Sequence, residues 1–107
     1  MNIDFHSHVI PHAFIEAIQK QPSRLMARIE GAGDGRKVVH EQGYVYPLFA
    51  EFTDVAAKIA AMDRKGLDVS VLSPAPPTFT YWAAEDLAVE VTSLVNDGVA
   101  DLHGRII

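Results

Sequence analysis

Twice in this chain a strand period is followed by a helical period, and that repeat constrains the fold more than any other feature of the sequence. Ile3 to Val9 alternates apolar and polar side chains, the two-residue period of a β-strand, which places Asp4, His6 and His8 on one face. Pro11 stops that run, and His12 to Lys20 carries Phe14, Ile15 and Ile18 at helical spacing until Pro22. The second pair is Asp68 to Ser73, a strand ended by Pro74-Ala75-Pro76-Pro77, followed by a helix from Ala84 to His103. Leu87, Val91, Leu94, Val95 and Leu102 share one face of that helix, Gly104 is placed to cap it, and Arg105-Ile106-Ile107 opens a further apolar run.

Between the pairs, Thr53 is an expected N-cap for a helix with Val55, Ile59 and Met62 at i, i+4 and i+7, closed by Gly66 at the C′ position. Ser23 to Phe52 is less regular. Lys37 to His40 and Tyr44 to Leu48 read as short β runs joined by Glu41-Gln42-Gly43, an antiparallel hairpin. Gly31, Gly33 and Gly35 lack the preceding strand and the following Gly-Lys-Ser/Thr of a phosphate loop.

Alternation of this kind predicts an α/β fold of parallel βα units, in which Ile3 to His8 pairs in parallel with Asp68 to Ser73. Two units and the start of a third are present, whereas a closed (β/α)₈ TIM barrel takes eight units and about 250 residues. The expected architecture for residues 1–107 is therefore part of one barrel domain, with residues 23–52 as a small insertion carrying the hairpin. An independent small α/β layer would leave strand edges open on both sides.

Composition narrows the function. Nine Lys+Arg against fourteen Asp+Glu give a net charge of −5, which disfavours a nucleic-acid surface. Zero cysteines exclude disulfides, thiolate zinc sites and a cysteine nucleophile. No apolar run approaches the roughly 20 residues of a membrane span, and Met1-Asn2-Ile3-Asp4 lacks the basic and apolar regions of a signal peptide. The expectation is a soluble cytoplasmic protein with no nucleic-acid or membrane partner.

His6-Ser7-His8 carries the chemistry. Residues two apart on a strand sit about 6.6 Å apart on the same face, so two neutral imidazoles can converge on one zinc ion. Asp4 would orient an imidazole or cap the strand. Chance alone supplies about 0.2 His-x-His pairs in a chain of this composition, so the motif needs its context. His12, His40 and His103 fall at a helix start, a hairpin and a helix end, and are read as structural. Phe79 and Trp82, in the loop after the second strand, are candidate substrate-binding residues as a pocket wall, or alternatively hydrophobic anchors of that loop. Pro74 to Pro77, tied between a strand and a helix, does not suit an SH3-type ligand.

These residues resemble a family. Ile3-Asp4-Phe5-His6-Ser7-His8-Val9-Ile10-Pro11 is similar to the opening of the amidohydrolase-related barrels, in the branch of aminocarboxymuconate semialdehyde decarboxylase and its relatives. Met62 to Val69 resembles that branch's helix-to-strand passage, Leu72 to Trp82 its following loop, Leu94-Val95-Asn96-Asp97 its next helix, and His103-Gly104-Arg105-Ile106 the lead into its third strand. The resemblance implies the N-terminal part of a metal-dependent (β/α)₈ barrel, usually with zinc, a decarboxylase or hydrolase acting on small carboxylated or aromatic-derived substrates. It implies His6 and His8 as metal ligands. The family's remaining ligands and its acid/base would fall beyond Ile107, so the chain alone is expected to be inactive and to associate as a homo-oligomer through open strand edges. One departure concerns substrate: the arginine that the branch's hairpin uses to bind a carboxylate has no counterpart in Tyr44-Val45-Tyr46-Pro47-Leu48. Two other readings compete, a PHP-type phosphoesterase, whose Asp/Gly-rich turn is replaced here by Pro11-His12-Ala13-Phe14, and a non-catalytic barrel fragment that self-associates.

Overall fold

The computed structural model describes the backbone of residues 1–106 and the side chains of residues 1–102. Its elements run β1 (Ile3–Val9), α1 (His12–Lys20), α2 (Pro22–Leu25), β2 (Ala27–Glu30), β3 (Lys37–His40), β4 (Val45–Pro47), α3 (Ala50–Thr53), α4 (Val55–Lys65), β5 (Val69–Pro74) and α5 (Glu85–Ile106). The architecture is mixed α/β, compatible with part of a barrel. No helix among the described residues is long and apolar enough to cross a membrane.

β1 and β5 form a two-stranded parallel sheet, as neighbouring βα units should. Ile3 lies opposite Val69, Asp4 opposite Ser70, Ser7 opposite Leu72, His8 opposite Ser73 and Val9 opposite Pro74. From Asp4 to Ser7 β1 advances three residues while β5 advances two, so β1 carries one extra residue, a bulge. Asp4 Oδ1 accepts the His6 backbone N–H at 3.0 Å and thereby partners a donor within the bulge.

The bulge corrects the expected alternation. Asp4 is half-buried beside Ser70 on the side covered by helices, whereas Phe5, at 78% exposure, and His6 both stand on the open face. Ser7 and Val9 then return to the covered side, at 7% and 3%. Only His6 and His8 of the expected trio share a face. Pro74 also differs slightly from expectation: it pairs with Val9 as the last residue of β5 rather than ending the strand before it.

β2, β3 and β4 make a separate antiparallel sheet in that order. The β3–β4 hairpin is the expected one, turned through Gly43 at φ 98°, a conformation that glycine adopts freely. β2 had been expected as irregular chain; it pairs with β3 from Ala27 opposite His40 to Glu30 opposite Lys37. Ala27, Ile29, Val38, His40 and Tyr46 lie on one face and turn it toward α1 and α5. The main core therefore begins where β1 and β5 end, with Ile10 and Ala75 both at 0% exposure, and continues through Phe14, Ile15 and Ile18 of α1, Val38 of β3, and Leu87, Val91 and Val95 of α5.

Three helix expectations change. The N-cap of α4 is Asp54, whose Oδ2 accepts the Ala57 amide at 3.2 Å, while Thr53 is buried as the last residue of α3. Val55, Ile59 and Met62 are not a buried face; Lys58 and Ala61 are buried instead, and Ile59 and Met62 line an open groove of about 890 Å³ beside β5. α5 packs on α1 and β5 and also touches α4 and the loop after β5, and its Asn96, Val99 and Ala100 form the opposite wall of that groove. Gly104 does not end α5, and Arg105 and Ile106 continue the helix rather than starting a strand. The readings of the His103 side chain and of Ile107 lie outside the described residues. Gly66 does close α4, at φ 69°.

Because Asp54 fills an otherwise orphaned donor at the start of α4, Asp54→Ala should lower stability by about 1 kcal/mol. The urea midpoint should fall with an unchanged slope, and Thr53→Val should leave the α4 amides as protected from exchange as before.

Candidate metal centre

β1 and β5 together position the two histidines. The bulge brings His6 onto the open face, and the register sets His8 beside Ser73. His6 Nε2 and His8 Nε2 lie 3.0 Å apart, with ring centroids at 4.6 Å and planes at 79°. His8 Nδ1 lies 3.2 Å from Ser73 Oγ. From the covered side, Lys58 Nζ donates to the His8 backbone carbonyl at 3.2 Å. Burial holds the Lys58 ammonium below the usual lysine range, opposed by the Glu51 and Asp4 carboxylates and reinforced by Lys65.

The donor set fits one divalent ion in part. Two Zn–N bonds of about 2.0–2.1 Å at a tetrahedral angle separate their nitrogens by about 3.3 Å, a few tenths from the spacing present here. Among the described residues no group of three His, Cys, Asp or Glu side chains comes together to hold a metal. Asp4 is spent on the His6 amide rather than on an imidazole.

The two loop aromatics separate. Phe79 lines a cleft of about 340 Å³ with Pro74, Thr78, Tyr81 and Asn96, at the end of β5. Trp82 packs against the core instead, its ring centroid 4.8 Å from that of His40, which stacks on Tyr44 at 4.6 Å and 6°. Trp82 thus takes the position of a loop anchor.

His40, at 4% exposure, accepts the Gln42 amide at Nδ1 over 3.1 Å. Burial holds its pKa below the ordinary value of 6.5, against the Leu25 carbonyl and the Glu41 carboxylate, which favour the proton. The unfolded chain therefore binds a proton at His40 more readily than the folded chain does. Stability from this group is complete above about pH 6.5 and is lost as pH falls below it, levelling off under the folded pKa. Denaturant midpoints measured between pH 8 and pH 5 should fall for the wild type, and His40→Phe should flatten the part of that slope below pH 6.5.

Ser73 and Lys58 were missed by the sequence reading. Lys58 left a trace, a charged residue between Val55 and Met62 at helical spacing. Ser73 left none, because its contact depends on register.

No family model matches the chain. Among characterised proteins it is 29% identical over 96 residues to 2-amino-3-carboxymuconate-6-semialdehyde decarboxylase of Caenorhabditis elegans, an alignment covering 89% of this chain and 24% of that protein. The chain therefore spans about a quarter of the length of the curated relative it matches. The chain is similar to the aminocarboxymuconate semialdehyde decarboxylase-like proteins of the amidohydrolase-related group.

Proposed function

We propose that this chain is the metal-binding N-terminal part of an amidohydrolase-related (β/α)₈ barrel, a decarboxylase or hydrolase of a small carboxylated or aromatic-derived substrate. The observation that carries the reading is the 3.0 Å approach of His6 Nε2 to His8 Nε2 on the open face of a parallel sheet. Similarity to a decarboxylase supports the family in general terms. His6 and His8 hold the ion, zinc in the first instance. A divalent ion held there would supply Lewis-acid chemistry toward a water and a substrate oxygen. Phe79 forms part of the substrate wall in its cleft at the end of β5, the end at which barrel enzymes build their sites.

The open face also favours self-association. Phe5, Val69 and Val71 stand on it at 78%, 40% and 47% exposure, next to the unpaired edges of a two-stranded sheet. Such apolar surface beside open edges invites pairing with a second copy.

Elemental analysis of the purified chain tests the reading. After zinc loading, more bound zinc than in the His6→Ala, His8→Ala chain is the expected result, together with a mass above the monomer in light scattering and no turnover of carboxylated aromatics. A metal-free monomer after zinc loading would refute it.

A further inference from the structure

Ser73 closes the open face of β5 in register with His8, and its Oγ lies 3.2 Å from His8 Nδ1. The other ring nitrogen, Nε2, faces His6 at 3.0 Å. The two nitrogens of His8 thus have separate partners, and in a neutral imidazole one carries a proton while the other offers a lone pair. A ligating Nε2 must offer the lone pair, so the proton belongs on Nδ1, where the Ser73 hydroxyl is placed to accept it. Lys58 holds the backbone carbonyl of the same residue, which fixes the strand and leaves the direction of the ring to the side chain opposite.

We infer that Ser73 is the positioning residue for His8: its hydroxyl accepts from Nδ1–H and holds the ring with the Nε2 lone pair turned toward His6. The purpose rests on the proposed ligand role of the two histidines, but the contact itself is readable without a metal. Ser73 is exposed, so its replacement should leave the fold intact.

The test uses the full 107-residue chain as wild type, Ser73→Ala and Ser73→Thr. Imidazole ¹⁵N shifts are recorded metal-free at pH 8, and zinc affinity is then measured by calorimetry. In the wild type the His8 proton should reside on Nδ1. Ser73→Ala should move the His8 ring shifts toward a mixture of tautomers and weaken zinc binding by about 10–100-fold, the usual effect of losing such a partner. Ser73→Thr should restore both, with backbone amide spectra alike in all three. Identical His8 shifts in wild type and Ser73→Ala, or a wild-type proton on Nε2, would overturn the inference. So would equal zinc affinity of Ser73→Ala in a chain that binds zinc, and the ligand role of His6 and His8 would then survive alone. If the wild type takes up no zinc while the ring shifts still respond, the ligand reading fails and the placement of the ring by Ser73 stands.

Discussion

Replacing His6 and His8 together by alanine should abolish zinc binding by the chain. Loss of one outer partner of a metal ligand typically weakens binding by about 10–100-fold. Removing both ligands themselves must exceed that, since their nitrogens at 3.0 Å are the two donors that converge and no set of three metal-ligating side chains exists among the described residues to replace them. Both side chains stand on the open face rather than in the core, His6 exposed and His8 half-buried, so the thermal midpoint of the double variant should stay close to that of the wild type. Calorimetric titration with zinc checks the prediction. A double variant that still binds zinc within tenfold of the wild type would place the metal elsewhere.

Gly98→Val should destabilise the chain more than any substitution on the open face. Gly98 lies inside α5, where a glycine ordinarily costs about 1 kcal/mol relative to alanine. Here a Cβ would meet Pro11 Cβ at 2.4 Å and Cγ at 2.8 Å. Pro11 is a rigid ring, buried at the junction of β1 and α1 beside Ile10. It cannot swing aside, so α5 must shift, and overpacking of this kind costs about 1–3 kcal/mol or more. Even Gly98→Ala should lower the thermal midpoint by several degrees, against its helix propensity. A Gly98→Ala chain that melts higher than the wild type would show that α5 does not rest on Pro11.

The parts of the fold legible in the sequence are those set by local period and punctuation. β1, α1, the β3–β4 hairpin, the αL glycine after α4 and the parallel pairing of the outer strands all rest on runs of alternating or helically spaced residues bounded by Pro or Gly. β2 was not legible because Ala27 to Glu30 is too short for periodicity to speak and exists through its ladder to β3. The bulge was invisible for a related reason: an insertion of one residue in register is a property of two strands at once, and it moved Asp4 off the histidine face. Asp54 took the cap from Thr53 because a separate short turn, α3, ends at Thr53 and buries it. Gly104 did not stop α5, since a single glycine is a weak penalty within a long helix that buries Leu87, Val91 and Val95. His6 and His8 were identifiable by spacing, whereas Ser73 beside them became visible only with the strands paired.

X-ray absorption on the zinc-loaded chain tests the central claim most directly. Two imidazole nitrogens from His6 and His8 at about 2.0–2.1 Å, with the histidine ring scattering lost in the His6→Ala, His8→Ala chain, is the expected result. A zinc shell of oxygen donors alone, unchanged by the double substitution, would contradict it.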